Sequence, residues 1–543
     1  MSNLNIDWQM VFLLLIPVLE YAEIHYRFPF LPSLLFSREP EIVFDVPVRV
    51  EPGKAVPLFL FIKDAHRFPV FLKTVKIKIT ATHFGYQKTL KENLNAAVDR
   101  KFWSKTIELN RKDFPQPGEY QIEAGLCYTN SQGREKTIIQ DNYRFLPHPP
   151  FRVFLSNASL PKSEGWHWGD VHLHSNFTDD QVEFGAPVRE TARAAQTIGL
   201  DFIAVTDHSY DLDDQPDNFL KTDPQLKKWT AFQETVRAAQ QKLDNFIIIP
   251  GEEVSVGNHR NRNVHCLVLN DQVFHPGSGD SAEKLLRNQP TQSIPTLLAK
   301  LSEPALAIAA HPVEAPPLSQ RIILKRGEWE EADCQHEKMT TLQILNDDDP
   351  HMLEKGVRLW TNLLLRGKKV GVVAGNDAHG NFNCFRQVRI PFLKLVRNHR
   401  HLLGQVRTAV ATDSFSTEGI LGAIKKHRVV ISNGPFAMFT LQSNRVAHLG
   451  ETCEVEGNFS ILITVKSISE YGSWQKLNLV YGNFTSRREE HIPVQIPQDS
   501  FEFSIETTPG EFHSGYVRLE AFTLAGEREF FCLTNPIWIN QKD

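Results

Sequence analysis

The sequence lacks the cysteine pattern of a disulfide-stapled protein or of a thiolate zinc site. Its six cysteines are scattered and include no C-x-x-C pair: Cys127, Cys266, Cys334, Cys384, Cys453 and Cys532. Both kinds of site depend on paired or closely spaced cysteines. The composition therefore favours a reducing compartment, and we expect the protein in the cytoplasm.

An excess of positive charge is also missing. The chain has 59 Lys and Arg against 64 Asp and Glu, a formal net charge of −5 with histidine neutral. Proteins that hold nucleic acid or anionic lipid by electrostatics usually carry a basic field. The balance predicts no nucleic-acid partner.

No apolar run is long enough to cross a bilayer. The longest stretch near the start, Met10 to Leu19, is short and is interrupted by Pro17, whereas a spanning helix needs about 20 apolar residues. No Lys or Arg precedes Arg27, which argues against a secretory signal. We expect residues 1–40 to form an apolar segment docked on the rest of the protein, with no transmembrane segment.

The patterning of the chain indicates several domains. A length of 543 residues corresponds to about two to four domains at roughly 100–200 residues each. Residues 41–150 alternate apolar and polar positions between Pro, Gly and Asn turns, which predicts a β-sandwich. Residues 436–543 show the same alternation and predict a second sandwich. Between them, residues 160–435 change to short apolar strands separated by helical segments.

Those apolar strands end repeatedly in side chains that bind metals. They read GDVHLH (169–174), DFIAVTDHS (201–209), NFIIIPGEE (245–253), NVHCLVLN (263–270), ALAIAAHP (305–312), TLQILND (341–347) and KVGVVAGNDAH (369–379). Buried apolar strands that alternate with helices predict a parallel sheet. If such a sheet closes into a barrel, its strand ends meet at one mouth, where barrel enzymes carry out their chemistry.

The residue types at these strand ends favour transition metals. Imidazoles mixed with carboxylates suit Zn, Mn or Fe, whereas an all-oxygen set would suit Mg or Ca. His172 and His174 lie at i and i+2 of one strand, so their side chains share a face and can reach one ion. A single H-x-H is a weak signal, but its repetition at other strand ends is a strong one.

The order of these motifs resembles the polymerase and histidinol phosphatase (PHP) family of metal-dependent hydrolases. Over residues 165–435 the order is H-x-H, an acid in the following loop, D-H, G-x-E, H, H-P and D-x-H. The order of domains and the segment TDSFSTEGILGAIKKHRVVISNGPF are similar, more loosely, to the carbaryl-hydrolase (CehA/McbA) branch. The resemblance implies an α/β fold: a distorted seven-stranded (β/α)7 TIM-like barrel flanked by N-terminal and C-terminal β-sandwich domains.

The resemblance also implies two or three divalent transition metal ions and a ligand set. Carried over by position, the ligands are His172, His174, Asp179, His208, Glu253, His265, His311, Asp377 and His379. Asp180 competes with Asp179, Glu252 with Glu253, and His259 with His265. Spacing favours Asp179, the G-x-E pattern favours Glu253, and placement directly before an apolar strand favours His265.

Two further predictions concern residues around the ligands. The family often has an acid where this chain has Gln343, which we interpret as a change in the surroundings of the metals. His351, His401 and His427 lie on helical or loop text and are predicted to be exposed to solvent.

The predicted site favours hydrolysis by a metal-activated water. A phosphoester, either a small phosphorylated metabolite or a phosphodiester, is the leading substrate because its charge suits a clamp of several metals. Arg260 and Arg262 could bind phosphate oxygens, although a solvated hairpin explains them equally well. His208 and Asp377 are the predicted catalytic residues, while the choice of general acid stays open.

Two alternatives remain at this stage. The carbaryl-hydrolase likeness would imply hydrolysis of a carbamate, ester or amide at the same metals. A protein of another class, a non-catalytic module that binds metal, carbohydrate or protein, would also accommodate two sandwiches. The sequence does not fix the oligomeric state.

Overall fold

The computed structural model describes residues 39–143, 147–178, 185–216, 218–281, 288–389, 394–510 and 512–542. Residues 1–38 of the predicted apolar segment and the competing acids Asp179 and Asp180 lie outside these residues. Among the described helices, none is long and apolar enough to cross a membrane.

The first region consists of strands joined by turns. They are β1 (Glu41–Asp45), β2 (Arg49–Val50), β3 (Val56–Lys63), β4 (Val70–Ala81), β5 (Tyr86–Val98), β6 (Phe102–Leu109), β7 (Gly118–Thr129), β8 (Glu135–Ile139) and β9 (Phe151–Leu155). One sheet has the order β1-β3-β6, and a second has the order β2-β9-β7-β4-β5 with β8 beside β7. Alternate side chains of β4 and β7 are buried, and the two sheets share one apolar core.

The middle region holds the strands whose ends are rich in histidine and acid. They are β10 (Trp166–His174), β11 (Phe202–Val205), β12 (Asp214–Gln215), β13 (Asn218–Thr222), β14 (Ile247–Gly257), β15 (Asn263–Leu269), β16 (Leu306–Ala309), β17 (Thr341–Leu345), β18 (Gly371–Ala374), β19 (Ala378–His379), β20 (Phe385–Arg389), β21 (Lys394–Asn398), β22 (Arg407–Ala411) and β23 (Val429–Ser432). β12 pairs with β13, and β20 pairs with β21, as separate hairpins.

The third region is again made of strands. They are β24 (Phe436–Gln442), β25 (Val446–Ala447), β26 (Thr452–Val455), β27 (Ser460–Lys466), β28 (Ser473–Asn483), β29 (Arg488–Pro493), β30 (Glu502–Thr507), β31 (Gly515–Ala525), β32 (Arg528–Thr534) and β33 (Ile537–Gln541). β25, β24, β27 and β30 form a four-stranded antiparallel sheet. β32, β31, β28 and β29 continue a larger sheet that begins in the middle region.

The helices lie mainly between the strands of the middle region. They are α1 (Val188–Ile198), α2 (Ser209–Leu212), α3 (Lys227–Gln240), α4 (Ile294–Lys300), α5 (Leu318–Ile323), α6 (Pro350–Leu365) and α7 (Thr417–Lys425). Side chains that accept from free backbone N–H groups begin three of them: Ser293 before α4, Asp349 before α6 and Ser416 before α7. Gly199, with φ 101°, ends α1 in the left-handed conformation that glycine adopts at least cost.

The predicted fold class, an α/β barrel flanked by separate sandwiches, is wrong. The protein is mostly β-sheet with few helices, and one mixed sheet runs in the order β18-β17-β16-β15-β14-β11-β10-β22-β23-β32-β31-β28-β29, across the predicted boundary at residue 435. Within it, β14 with β15 and β15 with β16 are antiparallel, as are β10 with β22 and β22 with β23. A barrel of repeated strand–helix units would have made each of these pairs parallel.

The pairing around β10 nevertheless gathers the strand ends of the middle region. β10 is parallel to β11, and β11 is parallel to β14. The segment after β18 returns to β10, where Ala378 pairs with Leu173 and His379 with His174. As a result, the histidines and acids that follow β11, β16 and β18 meet those of β10, β14 and β15.

Candidate metal centre

The centre begins with the two histidines at the end of β10. His172 and His174 are fully buried, and because they are separated by one strand residue, their rings project to the same side. Their Nε2 atoms lie 3.2 Å apart. Two unprotonated nitrogens at this distance repel each other unless a proton or a cation lies between or beside them.

Glu253 of β14 lies at the middle of the group. Its carboxylate is 2.7 Å from Nδ1 of His265, 2.9 Å from Nδ1 of His208 and 3.1 Å from Nε2 of His311. A backbone bond from Glu253 to the carbonyl of Asp207, 3.0 Å long, holds the end of β11 and its histidine against β14. One carboxylate therefore faces imidazoles from three other segments of the chain.

Asp377 and His379 complete the group from the segment after β18. Oδ1 of Asp377 lies 3.0 Å from Nε2 of His174 and 3.3 Å from Nε2 of His172, and the ring of His379 stacks on His174 with centroids 4.1 Å apart. The approach depends on Gly375, because a Cβ atom there would lie 2.7 Å from Cβ of His172. This segment therefore closes over β10.

Two of these residues have unusual backbone conformations. Asp377 has φ 51° and His311 has φ 31°, both in the left-handed region that L-residues avoid. The backbone N–H of Asp377 donates to the carbonyl of His172 over 2.9 Å, which helps to hold the first of these conformations. Strained residues of this kind gather at functional sites, where the surrounding structure enforces them.

The outer nitrogens of the imidazoles contact acceptors that fix the ring orientations. Nδ1 of His172 lies 2.8 Å from Oε1 of Gln343, and Nδ1 of His379 lies 2.9 Å from the carbonyl of Asp377. Nδ1 of His174 lies 3.3 Å from the hydroxyl of Thr178, and Nε2 of His265 lies 2.7 Å from Asp280. Metal-binding histidines are usually held in this way, with the second nitrogen donating outward.

The charges of the group are strongly coupled. Burial would raise the pKa of Glu253, yet the surrounding imidazoles of His265, His172 and His208 hold it well below its usual value. Burial would likewise raise the pKa of Asp377, which His172 and His174 hold well below its usual value. Both carboxylates therefore stay ionised, as metal ligands must.

The donor set fits divalent transition metals. Three groups of ligand atoms, in each of which all atoms lie within 4.8 Å of one another, share members: His172, His174, Glu253 and Asp377; His174, His208 and His379; and His208, Glu253 and His265. Oε2 of Glu253 and Oδ1 of Asp377 are buried without a hydrogen bond of normal geometry among the described residues, although imidazole nitrogens lie 2.9 to 3.4 Å from them. Imidazole with carboxylate is the ligand chemistry of Zn, Mn and Fe.

The structure brings together eight of the nine predicted ligands, and the ninth, Asp179, lies outside the described residues. Glu253 faces the centre, whereas Oε1 of the neighbouring Glu252 accepts from the backbone N–H of His275 over 3.0 Å. His265 faces the centre, whereas Nδ1 of His259 lies 3.1 Å from Asp333.

The two arginines predicted to bind substrate point elsewhere. Arg260 is 63% exposed and donates to Glu330 over 2.9 Å, while Arg262 reaches the carbonyl of Arg321 over 3.4 Å. The described contacts of neither one include a residue of the centre. Both lie on the turn between β14 and β15, in the solvated position that was the alternative interpretation.

Two residues of the centre were not predicted. Asp280 is buried and contacts His265, and Nη2 of Arg326 lies 2.8 Å from Nε2 of the same histidine. Both come from irregular segments where no strand end or motif marks them. The sequence offered no signal beyond the charge of the residues themselves.

Comparisons with known proteins add little to this geometry. No family model and no curated protein matches the chain. Among solved structures, a polysaccharide deacetylase from Bacillus cereus is 15% identical over 39% of this chain and 58% of its own length, with a TM-score of 0.13. A cycloisomaltooligosaccharide glucanotransferase from Paenibacillus sp. is 8% identical over 92% and 70%, with a TM-score of 0.16. An alpha-2-macroglobulin from Escherichia coli is 9% identical over 97% and 25%, with a TM-score of 0.14.

The chain thus spans less than two thirds of the deacetylase that it partly matches. TM-scores of 0.13 to 0.16 carry no argument about fold or function.

Proposed function

We propose that the protein is a metal-dependent hydrolase that acts on a small phosphoester. The observation that carries the proposal is the convergence of six histidines and two carboxylates. Five of the histidines and both carboxylates form overlapping groups whose ligand atoms lie within 4.8 Å of one another, and Nε2 of His311 lies 3.1 Å from Oε1 of Glu253. The order of the motifs, which resembles PHP hydrolases, supports it. Two or three divalent ions held there would supply a hydroxide nucleophile near neutral pH and stabilise charge on the ester.

The exposure of the ligands indicates the side from which substrate approaches. The side chains of His172, His174 and Glu253 are closed off from solvent, whereas Asp377 is 21% exposed. His311 and His379 are also partly open. Substrate would therefore reach the centre across Asp377, His379 and His311.

Two residues of the centre can move protons: Asp377 on the open side and His208 in the buried part. Asp377 has an ionised carboxylate at the open face, placed to accept a proton from an attacking water and to orient it. His208 lies beside Glu253, with its ring stacked on Tyr210 at 4.6 Å, and an imidazole held there can donate a proton to the leaving oxygen.

A panel of nitrophenyl phosphate, bis-nitrophenyl phosphate and nitrophenyl acetate, each with added Mn or Zn, tests the reaction. We expect phosphoester turnover that is lost on chelation and in His174→Asn. The matched control is His491→Asn, because His491 is a half-exposed histidine on β29, outside the centre.

Acetate cleavage without phosphoester turnover would replace the substrate class with a carboxylic ester, carbamate or amide. Absence of turnover on all three substrates, in protein that contains stoichiometric metal, would favour a binding module. Equal turnover by His174→Asn and the wild type would contradict a role for the centre.

A further inference from the structure

The fold places Arg326 at the candidate metal centre, in contact with His265. It follows α5, and its backbone forms an isolated parallel bridge to Asn263, at the start of β15. The next residue, Gly327, donates to the carbonyl of Asn263 over 2.8 Å. These contacts fix the segment against the strand that carries His265.

The guanidinium is anchored on one side. Its Nε atom lies 3.0 Å from Oδ2 of Asp280, and Nη1 donates to Oε1 of Gln320 over 3.3 Å. Nη2 lies 2.8 Å from the imidazole of His265. A guanidinium carries five N–H groups, so the acceptors Asp280 and Gln320 leave further N–H groups on Nη1 and Nη2.

Arg326 is also accessible, in contrast to the ligands beside it. Its side chain is 28% exposed, whereas that of Asp280 is almost fully buried. The guanidinium of arginine stays protonated in proteins. The side chain therefore presents a permanent positive charge at the edge of the centre.

The structure assigns Arg326 the role of binding the anionic group of the substrate beside the metals. The inference rests on the proposed hydrolase function and names the residue that would select a phosphoester over a neutral ester. A guanidinium can give a phosphate two parallel N–H bonds. Arg260 and Arg262, which the sequence had suggested for this task, lie on the exposed turn.

Calorimetric titration of the metal-loaded protein with inorganic phosphate tests the assignment without relying on turnover. Because a hydrogen bond to a charged group contributes about 1.5–3 kcal/mol, we expect Arg326→Gln to bind phosphate roughly 10- to 100-fold more weakly than the wild type. Arg326→Lys keeps the positive charge but loses the two parallel N–H donors of the guanidinium, so its phosphate affinity should lie between those of the wild type and Arg326→Gln. The matched control is Arg358→Gln, on the exposed face of α6.

A second measurement separates substrate binding from support of the fold. In Arg326→Gln, KM for nitrophenyl phosphate should rise while the metal content of the protein stays at the wild-type value. Unchanged phosphate affinity in Arg326→Gln would overturn the assignment, as would loss of metal or folding in both Arg326 variants. If Arg260→Gln binds phosphate more weakly than the wild type and Arg326→Gln binds it equally well, phosphate binding would belong to the exposed turn between β14 and β15.

These outcomes are distinct from a failure of the proposed function. If the wild-type protein holds metal and cleaves phosphoesters, and Arg326→Gln does not change its phosphate affinity, the proposed hydrolase function would remain and the role of Arg326 would be wrong. Wild-type protein without metal would remove both.

Discussion

Two buried groups of charged side chains in this molecule are arranged in opposite ways. In the third region, Arg518 is fully buried and donates to Glu489 over 2.8 Å and to Glu520 over 2.6 Å, and Tyr516 donates to Glu489 over 2.7 Å. In the candidate metal centre, imidazole nitrogens face one another, and carboxylate oxygens lie near nitrogens without normal hydrogen-bond geometry.

The difference separates a charge cluster whose members satisfy one another from a group whose donor atoms fit a set of metal ligands. Around Arg518, one guanidinium and one phenol hydroxyl donate to two carboxylates, so the described donors and acceptors satisfy one another. In the centre, the outer nitrogens are held by Gln343, Thr178 and Asp280, while the inner ones converge on the same space. A cation at that point would satisfy several imidazoles and two carboxylates at once.

The largest expected effect is on stability, at the matched cluster. Arg518→Met leaves Glu489 and Glu520 buried without their partner, which costs about 3–5 kcal/mol of unfolding free energy. Urea denaturation measures it, with Arg358→Met on the surface of α6 as the control, expected to change stability by less than about 1 kcal/mol. If Arg518→Met lowers the unfolding free energy by less than about 1 kcal/mol as well, the cluster around Arg518 does not stabilise the fold as described.

The buried imidazole of His427, which contacts a backbone carbonyl, should make the stability of the protein depend on pH. Burial lowers the pKa of His427 to about 4, although a bond to the carbonyl of Thr340 opposes the shift. Since the unfolded chain binds this proton at a higher pH, stability falls as pH drops from about 6.5 to 4, by about 3 kcal/mol. Denaturation at several pH values should show this loss in the wild type and its absence in His427→Gln. Parallel pH profiles would contradict it.

Added metal should stabilise the folded protein by binding at the candidate metal centre and not at the cluster around Arg518. At a free concentration of 100 times Kd, a metal that binds only the folded protein stabilises it by about 2.7 kcal/mol. The unfolding free energies of the wild type and of Arg518→Met should both rise by this amount on addition of Zn or Mn, whereas that of His174→Ala should hardly change. Equal gains in all three would mean that the metal binds elsewhere.

The smallest effect is expected at Gln343, which orients the ring of the predicted metal ligand His172 without itself being a predicted ligand. Gln343→Leu removes the acceptor from Nδ1 of His172, and loss of such a partner weakens metal affinity about 10- to 100-fold. Competition with a chromogenic chelator measures the affinity, and Gln475→Leu, on an exposed position of β28, is the control. Unchanged affinity in Gln343→Leu would show that the bond does not orient the ring.

The candidate site was more predictable than the fold. Most of its histidines and acids directly follow apolar runs, and His265 directly precedes one, so their position at strand ends can be inferred one strand at a time. The i, i+2 pair of His172 and His174 fixes a common face. The direction in which strands pair has no such local signal. β14 and β15 are buried along nearly their whole length, and an apolar run reads the same in an antiparallel pair as in a parallel one.

Other features depend on contacts distant in sequence. Asp280 and Arg326 reach His265 from irregular segments, so neither periodicity nor a motif could reveal them. His427 was predicted to be exposed but is only 6% exposed, because the end of α7 packs against the backbone at Thr340. His351, in contrast, is exposed at the start of α6 as predicted.

The most direct test of the central claim is the metal content of purified protein by elemental analysis. We predict more than one transition metal ion per wild-type chain and a loss of metal in both His174→Ala and Asp377→Ala. Wild-type protein without metal, or variants with an unchanged content, would contradict the assignment of the centre.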